Sequence, residues 1–336
     1  MINDLLSPCT GIVREYHTFD VDDHAASLVD WNLSYDQLGR GRFEGQFTDI
    51  RLPGIQIFAE STSAPVRQRG TLSEDNIGFA FMTSSQGSGS LNGLSFDTNS
   101  MLACRATEID LCTPEYFRLA GLVLDADLMD EAFQHCGFDS FPLEKNSVAT
   151  LELKGSAAEH LRNVIRDTLD LAHSQHKQDD AVSTSIAIHW RDDLLEALAD
   201  VMVETHPLGN TRRANERSRL VNQASQLMLS NALKGTTQSL GDVCRTVGTC
   251  ARKLSYCFQE VVGMSALEYL RAVKFNAVRR ELRQAKRSDT SIYDVATRHG
   301  FWHFGRFSVE YRQHFGERPS DTLRMLRSEA PSCRYA

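Results

Sequence analysis

The C-terminal third of the sequence contains an internal repeat, and this repeat limits the possible folds more than any other feature. The first copy places apolar, small and glycine residues at Leu240, Cys244, Gly248, Leu254, Phe258 and Gly263. The second copy places matching residue types at Ile292, Ala296, Gly300, Phe307, Tyr311 and Gly316. The first three pairs lie 52 residues apart and the last three 53, so the second copy has one extra residue in its turn. Each copy predicts a short helix, a turn near glycine and a longer helix, which is the helix-turn-helix arrangement.

The longer helix of each copy is predicted to be amphipathic, with one face packed and the other turned outward. In the first copy the apolar stripe is Leu254, Cys257, Phe258 and Val261, and the opposite stripe is Arg252, Ser255, Tyr256 and Gln259. In the second copy the packed stripe is Phe307, Tyr311, His314 and Phe315, and the outer stripe is Gly305, Ser308, Val309 and Arg312, flanked by Arg306. A DNA recognition helix needs this division, because its free face contacts base edges and phosphates. The alternative is a plain amphipathic helix with a solvated face.

A long helix between the copies and an uneven charge distribution favour the nucleic-acid interpretation. Residues 266–285 form an uninterrupted helical pattern of about 30 Å, near the 34–36 Å or so between successive major-groove faces on one side of a duplex. Residues 1–210 carry 33 acidic and 14 basic side chains, whereas residues 211–336 carry 11 and 22. A basic half joined to an acidic half favours contact with nucleic acid or membrane by the basic half. Chance segregation of solvated surface charge is the alternative.

Residues 220–327 resemble the DNA-binding domain of the AraC/XylS family of bacterial transcription regulators. The resemblance is carried by the stretch from Ser239 to Leu270 and by GFWHFGRFSVEYRQHFGERPS, Gly300 to Ser320, which is also similar to the ethanolamine-operon branch. It implies an α+β protein with a β-rich, cupin-like or jelly-roll-like N-terminal domain and an all-α domain of two helix-turn-helix units joined by a long helix. It further implies an activator that binds double-stranded DNA, dimerises through its N-terminal domain or senses a small-molecule effector there, and contacts RNA polymerase.

The resemblance also implies which residues read DNA. Position by position, Arg252, Ser255 and Tyr256 of the first unit and Phe304, Gly305, Arg306, Ser308 and Val309 of the second would face base edges. Lys253 and Arg312 are expected to contact phosphates, which position a protein without specifying sequence. The chain departs from the family pattern at Cys250, where a capping serine is usual, and at Gly305 and Val309, where polar residues are frequent. Phe304 has two interpretations, a core residue or a contact to a thymine methyl group.

The N-terminal part is predicted to combine short strands with two helices. Apolar runs at 55–59, 77–81 and 119–124 are bounded by turn-forming residues, which is typical of a sandwich or small barrel. Helical periodicity replaces this pattern at about 157–205, and the apolar stripes there are expected to pack on the barrel or on a second protomer. We therefore expect an effector or dimerisation domain at 1–205, a linker at 206–214 and a DNA-binding domain at 215–330 whose core needs nothing upstream. The aromatic residues that would line a pocket or fill the core are Trp31, Tyr35, Phe58 and Phe79.

Other patterns argue against catalysis and membrane insertion. Gly87, Gly89 and Gly93 miss the dinucleotide-binding spacing and are predicted to form a hairpin turn. His173 and His176 lack a third metal ligand at suggestive spacing. The sequence contains no HExxH, GxSxG or P-loop pattern, so we predict no catalytic residue, metal or cofactor. No apolar run approaches the 18 or so residues of a membrane span, and we predict a cytoplasmic protein without a membrane partner. The alternative function is a cupin-type metal enzyme fused to a DNA-binding module.

Overall fold

The computed structural model describes residues 12–28, 31–73, 75–135, 143–177, 184–204, 207–208, 211–233, 239–285 and 291–324. Its strands are β1 Ile12–Thr18, β2 Asn32–Gln37, β3 Gly45–Leu52, β4 Ile55–Thr62, β5 Val66–Thr71, β6 Asn76–Ser84, β7 Gly89–Leu91, β8 Leu94–Phe96, β9 Ser100–Arg105, β10 Glu108–Cys112, β11 Phe117–Asp125, β12 Ser147–Glu152 and β13 Pro207–Leu208. Its helices are α1 Val21–Ser27, α2 Ala126–His135, α3 Gly155–Lys177, α4 Thr184–Glu204, α5 Thr211–Leu233, α6 Leu240–Thr246, α7 Ala251–Val262, α8 Ala266–Gln284, α9 Ile292–Arg298, α10 Phe304–Phe315 and α11 Pro319–Arg324. The predicted α+β class, with strands first and helices after, is confirmed.

Two antiparallel sheets face each other in the N-terminal part. One has the strand order β1-β3-β4-β11-β6-β9-β12-β13 and the other β2-β5-β10-β7-β8. Strand β4 shows how the sequence divides its faces: Ile55 and Ile57 join the cluster on the helical side, whereas Phe58 joins the cluster between the sheets. This alternation is the period of two expected for a strand with two covered faces. The glycine-rich segment forms the predicted hairpin, in which Asn92 (φ 48°) and Gly93 (φ 78°) connect β7 to β8.

Helices α3 and α4 cover the outer face of the large sheet. Leu161 and Ile165 of α3, together with Trp190 and Leu194 of α4, are buried in one cluster with sheet residues. The sequence leaves two partners open for the apolar stripes of α3 and α4, the barrel or a second protomer. In the structure these stripes pack on the barrel. Leu171 lies outside this contact and is 51% exposed.

The four aromatic residues considered for a pocket pack in the interior of the N-terminal part. Tyr35 and Phe58 are buried between the sheets, and Phe79 is buried on the helical side. Trp31 packs edge-on against Phe58 at 5.5 Å between ring centroids. Tyr35 donates a hydrogen bond to the buried Glu60 carboxylate at 2.8 Å, and burial beside that carboxylate raises the pKa of the Tyr35 phenol. Tyr35, Phe58 and Phe79 therefore fill the core, and the partly buried Trp31 packs against it.

The C-terminal helices form where the repeat predicts them. Helices α6 and α7 make the first helix-turn-helix unit, helices α9 and α10 make the second, and α8 joins them. Ser239 and Ser265 form capping boxes with Asp242 and Glu268, which satisfies backbone N–H groups at the starts of α6 and α8. Cys250 makes no side-chain hydrogen bond at the start of α7, as its departure from the usual serine implies.

Parts of the segment predicted as a linker, 206–214, belong to regular elements of the structure. Residues Pro207–Leu208 pair with β12 as the edge strand of the large sheet, and helix α5 already begins at Thr211. The apolar core of the first unit also includes Leu38 and Cys112 from the N-terminal part, and Ala214 is buried in the cluster between the sheets. The core of the C-terminal part is therefore continuous with residues upstream of it, and independent folding of 215–330 stays a prediction.

Candidate nucleic-acid interface

The outer faces of α7 and α10 are open to solvent. Arg252, Ser255 and Tyr256 of α7 are exposed, and the Tyr256 side chain is 54% exposed. On α10, Val309 is 58% exposed, and the residues on either side of it along the same face are exposed or half-buried: Gly305, Arg306, Ser308 and Arg312. The opposite faces are buried as predicted, with Leu254 and Phe258 of α7 and Phe307 and Tyr311 of α10 in the cores. The structure thus brings the predicted DNA-facing residues of each unit onto one accessible face.

The repeat gives each outer-face position of α7 a counterpart on α10, 53 residues later. Ser255 corresponds to Ser308, so this position is the same in both units. Arg252 corresponds to Gly305, and Tyr256 corresponds to Val309. The centre of the first face is therefore polar and rich in hydrogen-bond donors, whereas the centre of the second face is small and apolar.

The charge of the second face lies to one side of this centre. Arg306 donates from Nε to Glu310 at 3.0 Å while its own side chain stays 71% exposed. Glu310 also accepts from Arg271 of α8. Glu310 therefore holds Arg306 and links α10 to the joining helix α8. This role of Glu310 was not predicted from the sequence, although an acidic residue four positions after an arginine on a helix is a recognisable pairing signal.

Phe304 lies at the rim of the second unit rather than in its buried cluster. Its side chain is 39% exposed, and its ring centroid lies 5.9 Å from the centroids of both Tyr293 and Phe307. Trp302, in the turn before α10, is 63% exposed. The second unit thus presents aromatic surface on the side of its face away from Arg306.

The basic residues of the joining helix α8 are occupied by contacts within the protein. Arg279 donates to Asp20 at 2.6 Å and to Glu317 at 2.6 Å. Burial acts to lower the pKa of Arg279, but the negative charges of these carboxylates outweigh burial and raise it. Arg280 and Arg283 likewise pair with acidic residues of helix α1, its N-cap and strand β2: Asp20, Asp22, Asp23 and Asp36. Part of the charge contrast between the two halves is therefore used to join them, and it is not available to a phosphate backbone.

One buried arginine attaches the first unit to the N-terminal sheets. Arg67 of β5 is fully buried and donates twice to Asp110, both times at 2.7 Å. The same guanidinium reaches Tyr269 of α8 and Asn222 of α5. Ser90 adds a hydrogen bond to the carbonyl of Val261 in the last turn of α7 at 2.7 Å.

The second unit is attached through Gln37. Its backbone N–H and C=O pair with the side-chain amide of Asn276 at 3.1 and 2.8 Å. Its side chain donates to the carbonyl of His314 at 2.8 Å, and His314 Nε2 contacts the carbonyl of Gln37 at 3.1 Å. Burial lowers the pKa of His314 to about 4, so its imidazole is neutral near pH 7 and donates through Nε2–H.

The described residues offer no cluster of three or more metal-ligating side chains. His173 contacts Glu15, and the side chain of His176 lies outside the described residues. None of the described helices has the length and apolar character that crossing a membrane requires.

Residues 243–325 match the family model described as a helix-turn-helix domain. A probable thc operon regulatory protein of Rhodococcus erythropolis is 35% identical over 88 residues, which are 26% of this chain and 26% of the relative. The XylDLEGF operon transcriptional activator of Pseudomonas putida is 38% identical over 78 residues, 23% of this chain and 24% of the relative. The match thus spans about a quarter of the length of these relatives. Among solved structures, the AraC-like transcriptional activator CuxR is 13% identical, with 80% of this chain and 96% of that chain covered and a TM-score of 0.39.

Proposed function

Because its C-terminal helices form a helix-turn-helix domain of the AraC/XylS type, we propose that the protein is a sequence-specific DNA-binding transcription regulator. The observation that carries this proposal is the pair of exposed outer faces on α7 and α10, presented by units with the same packed core. Each face bears at least one exposed arginine, the side chain best suited to grip guanine O6 and N7 together. The relatives that the chain matches over about a quarter of its length include operon regulators, and five of them carry the word activator in their names.

In this proposal α7 reads one major-groove face and α10 the next. Arg252, Ser255 and Tyr256 contact base edges from the first unit. The residues that do so from the second unit are Phe304, Gly305, Arg306, Ser308 and Val309. Lys253 and Arg312 contact phosphates. Helix α8, with 19 residues, is about 28 Å long, which suits two recognition helices one duplex turn apart.

The remaining parts of the proposal concern the N-terminal part of the chain. Residues 1–205 form an effector-sensing or dimerisation domain, 206–214 the connection and 215–330 the DNA-binding domain. Leu171 of α3 and Ile188 of α4 are 51% and 39% exposed, and this apolar surface supports a homodimer formed through these helices. The protein acts in the cytoplasm, contacts RNA polymerase as an activator and has no catalytic role.

Salt dependence tests whether the protein binds DNA through phosphate contacts. Binding of the full chain to a fluorescent random-sequence duplex should weaken linearly in log affinity against log salt. Lys253→Ala should reduce the slope by about one, whereas Arg118→Ala, an exposed arginine on β11 of the N-terminal sheet, should leave it unchanged. A flat response of the unmodified chain to salt would overturn the proposal.

A further inference from the structure

We propose that the second helix-turn-helix unit recognises thymine through the 5-methyl group, with Val309 and Phe304 as the contacting side chains. This inference rests on the proposed function and adds a base preference to one of its two reading faces. In the major groove thymine differs from cytosine by its methyl group as well as by its hydrogen-bonding pattern, and apolar side chains contact that methyl. The question is which face of this protein offers apolar side chains where a base edge would lie.

Val309 occupies the central position of the outer face of α10. It is 58% exposed, and it lies one helical turn after Gly305 on the same stripe. Its counterpart in the first unit is Tyr256, whose hydroxyl can donate or accept a hydrogen bond. A β-branched side chain at this position has no hydrogen-bonding group and holds few rotamers, so it offers methyl groups at a fixed place.

Gly305 lets the helix approach the groove closely. A Cβ added at this position would meet no atom within 4 Å, and the backbone does not lie in the left-handed region. Neither packing nor backbone conformation therefore requires glycine here. At the matching position of α7, Arg252 carries a long side chain, whereas Gly305 carries none. A base edge can therefore come closer to Val309.

Phe304 extends the apolar surface on the side of the face away from Arg306. It rests on Tyr293 and Phe307 and keeps 39% of its surface exposed, so the ring is supported from below while one edge remains free. Arg306 lies on the other flank, held by Glu310. The second half-site is therefore expected to combine thymines with a neighbouring guanine, whereas the first half-site, read by Arg252, Ser255 and Tyr256, is expected not to depend on thymine methyl groups.

Replacing thymine by deoxyuridine tests the inference, because this change removes only the methyl group. A random duplex library is first selected with the full chain to obtain a preferred sequence, and a parallel selection with Arg306→Ala identifies the half read by the second unit. Deoxyuridine in that half should weaken binding about four-fold for each contacted methyl group, the effect expected for burying one such group. Deoxyuridine in the other half should have no effect.

Two variants of Val309 supply matched controls. Val309→Ser should lose the difference between thymine and deoxyuridine at the base pair that Val309 contacts and keep it at the one that Phe304 contacts, whereas Val309→Ile, which keeps a branched apolar side chain, should retain both differences. Three outcomes would overturn the inference: a selected second half without thymine, equal binding of thymine and deoxyuridine by the unmodified chain, or an equal loss in both halves. Failure of the proposed function itself would look different, since no sequence would then be enriched in the selection.

Discussion

The two helix-turn-helix units share one scaffold and differ at the surface that would meet DNA. Leu254 and Phe258 pack in the first unit as Phe307 and Tyr311 pack in the second, and Gly263 and Gly316 end the longer helices with the same left-handed conformation. Their outer faces share only the serine at 255 and 308. The comparison shows that a repeated core fixes where a recognition helix lies and leaves its free face to vary.

The units also differ in how they are held by the N-terminal sheets. On the side of the first unit, a buried ion pair links Arg67 to Asp110 and to helices α5 and α8, and Ser90 donates to the carbonyl of Val261 in α7. The second unit is held by several hydrogen bonds around Gln37 and by the Arg279 pairs. Two variants can test whether this difference has energetic consequences.

Removing Arg67 should have the largest effect on stability. Arg67→Ala removes the side chain that donates twice to the Asp110 carboxylate and leaves this buried charge without its partner. Such a loss lowers the free energy of unfolding by about 3–5 kcal/mol. The matched control is Arg69→Ala on the same strand, because the Arg69 side chain is 44% exposed and its partner Asp36 also pairs with Arg280. Arg69→Ala should lower the free energy of unfolding by less than about 1 kcal/mol.

Urea unfolding measures both variants, and amide hydrogen exchange locates the effect. In Arg67→Ala, amides of α5 and α8 should exchange faster while those of 291–324 change less, because Tyr269 of α8 and Asn222 of α5 are the C-terminal partners of Arg67 among the described residues. Equal stability of the two variants would show that the buried pair does not hold the first unit.

Protonation of His314 should loosen the second unit as the pH falls. Its pKa is lowered from an ordinary 6.5 to about 4 by burial, so the unfolded chain binds a proton at a higher pH than the folded chain does. The stabilisation is therefore complete above about pH 6.5 and is lost as the pH falls to about 4, at a total cost of about 3 kcal/mol. His314→Gln keeps a donor for the Gln37 carbonyl and does not titrate.

The difference between the unmodified chain and His314→Gln isolates this contribution from those of the carboxylates. Free energies of unfolding should fall more steeply for the unmodified chain between pH 6.5 and 4. Parallel pH profiles for the two proteins would mean that His314 titrates normally and does not restrain the second unit.

Placing the outer-face residues of the first unit on the second unit should change which DNA sequence the protein prefers. The expected change in binding free energy is smaller than the losses of folding stability described above. Gly305→Arg together with Val309→Tyr places the side chains of Arg252 and Tyr256 at the matching positions of α10. Position 305 has open space and Val309 is exposed, so we expect the variant to fold. Selection from a random duplex library should then return a second half-site that resembles the first, with differences of about 1–3 kcal/mol at each altered base pair. An unchanged second half-site would mean that these two positions do not read bases.

The sequence predicted the C-terminal helices well because their determinants are local. The apolar stripes, the glycines after α7 and α10 and the capping serines at 239 and 265 all act within a few residues of the elements they define. The order of the thirteen strands and the contacts between the two halves were not predictable in this way. Arg67 and Tyr269, or Gln37 and His314, are separated by about two hundred residues or more, and no periodicity marks one as the partner of the other. The Arg306–Glu310 pair is local, because its residues lie four positions apart on one helix. Its spacing would have allowed its prediction from the sequence.

The central claim is that two recognition helices in one chain read two successive major-groove faces. Binding of Arg252→Ala and Arg306→Ala to a selected duplex and to all of its single-base variants tests it most directly. Each variant should lose about 1–3 kcal/mol and relax the preference at one base pair, and the two base pairs should lie about 10–10.5 positions apart. Arg312→Ala is the control, since it should weaken binding to every duplex equally. If Arg252→Ala and Arg306→Ala also weaken all duplexes equally, or affect the same base pair, the account is wrong.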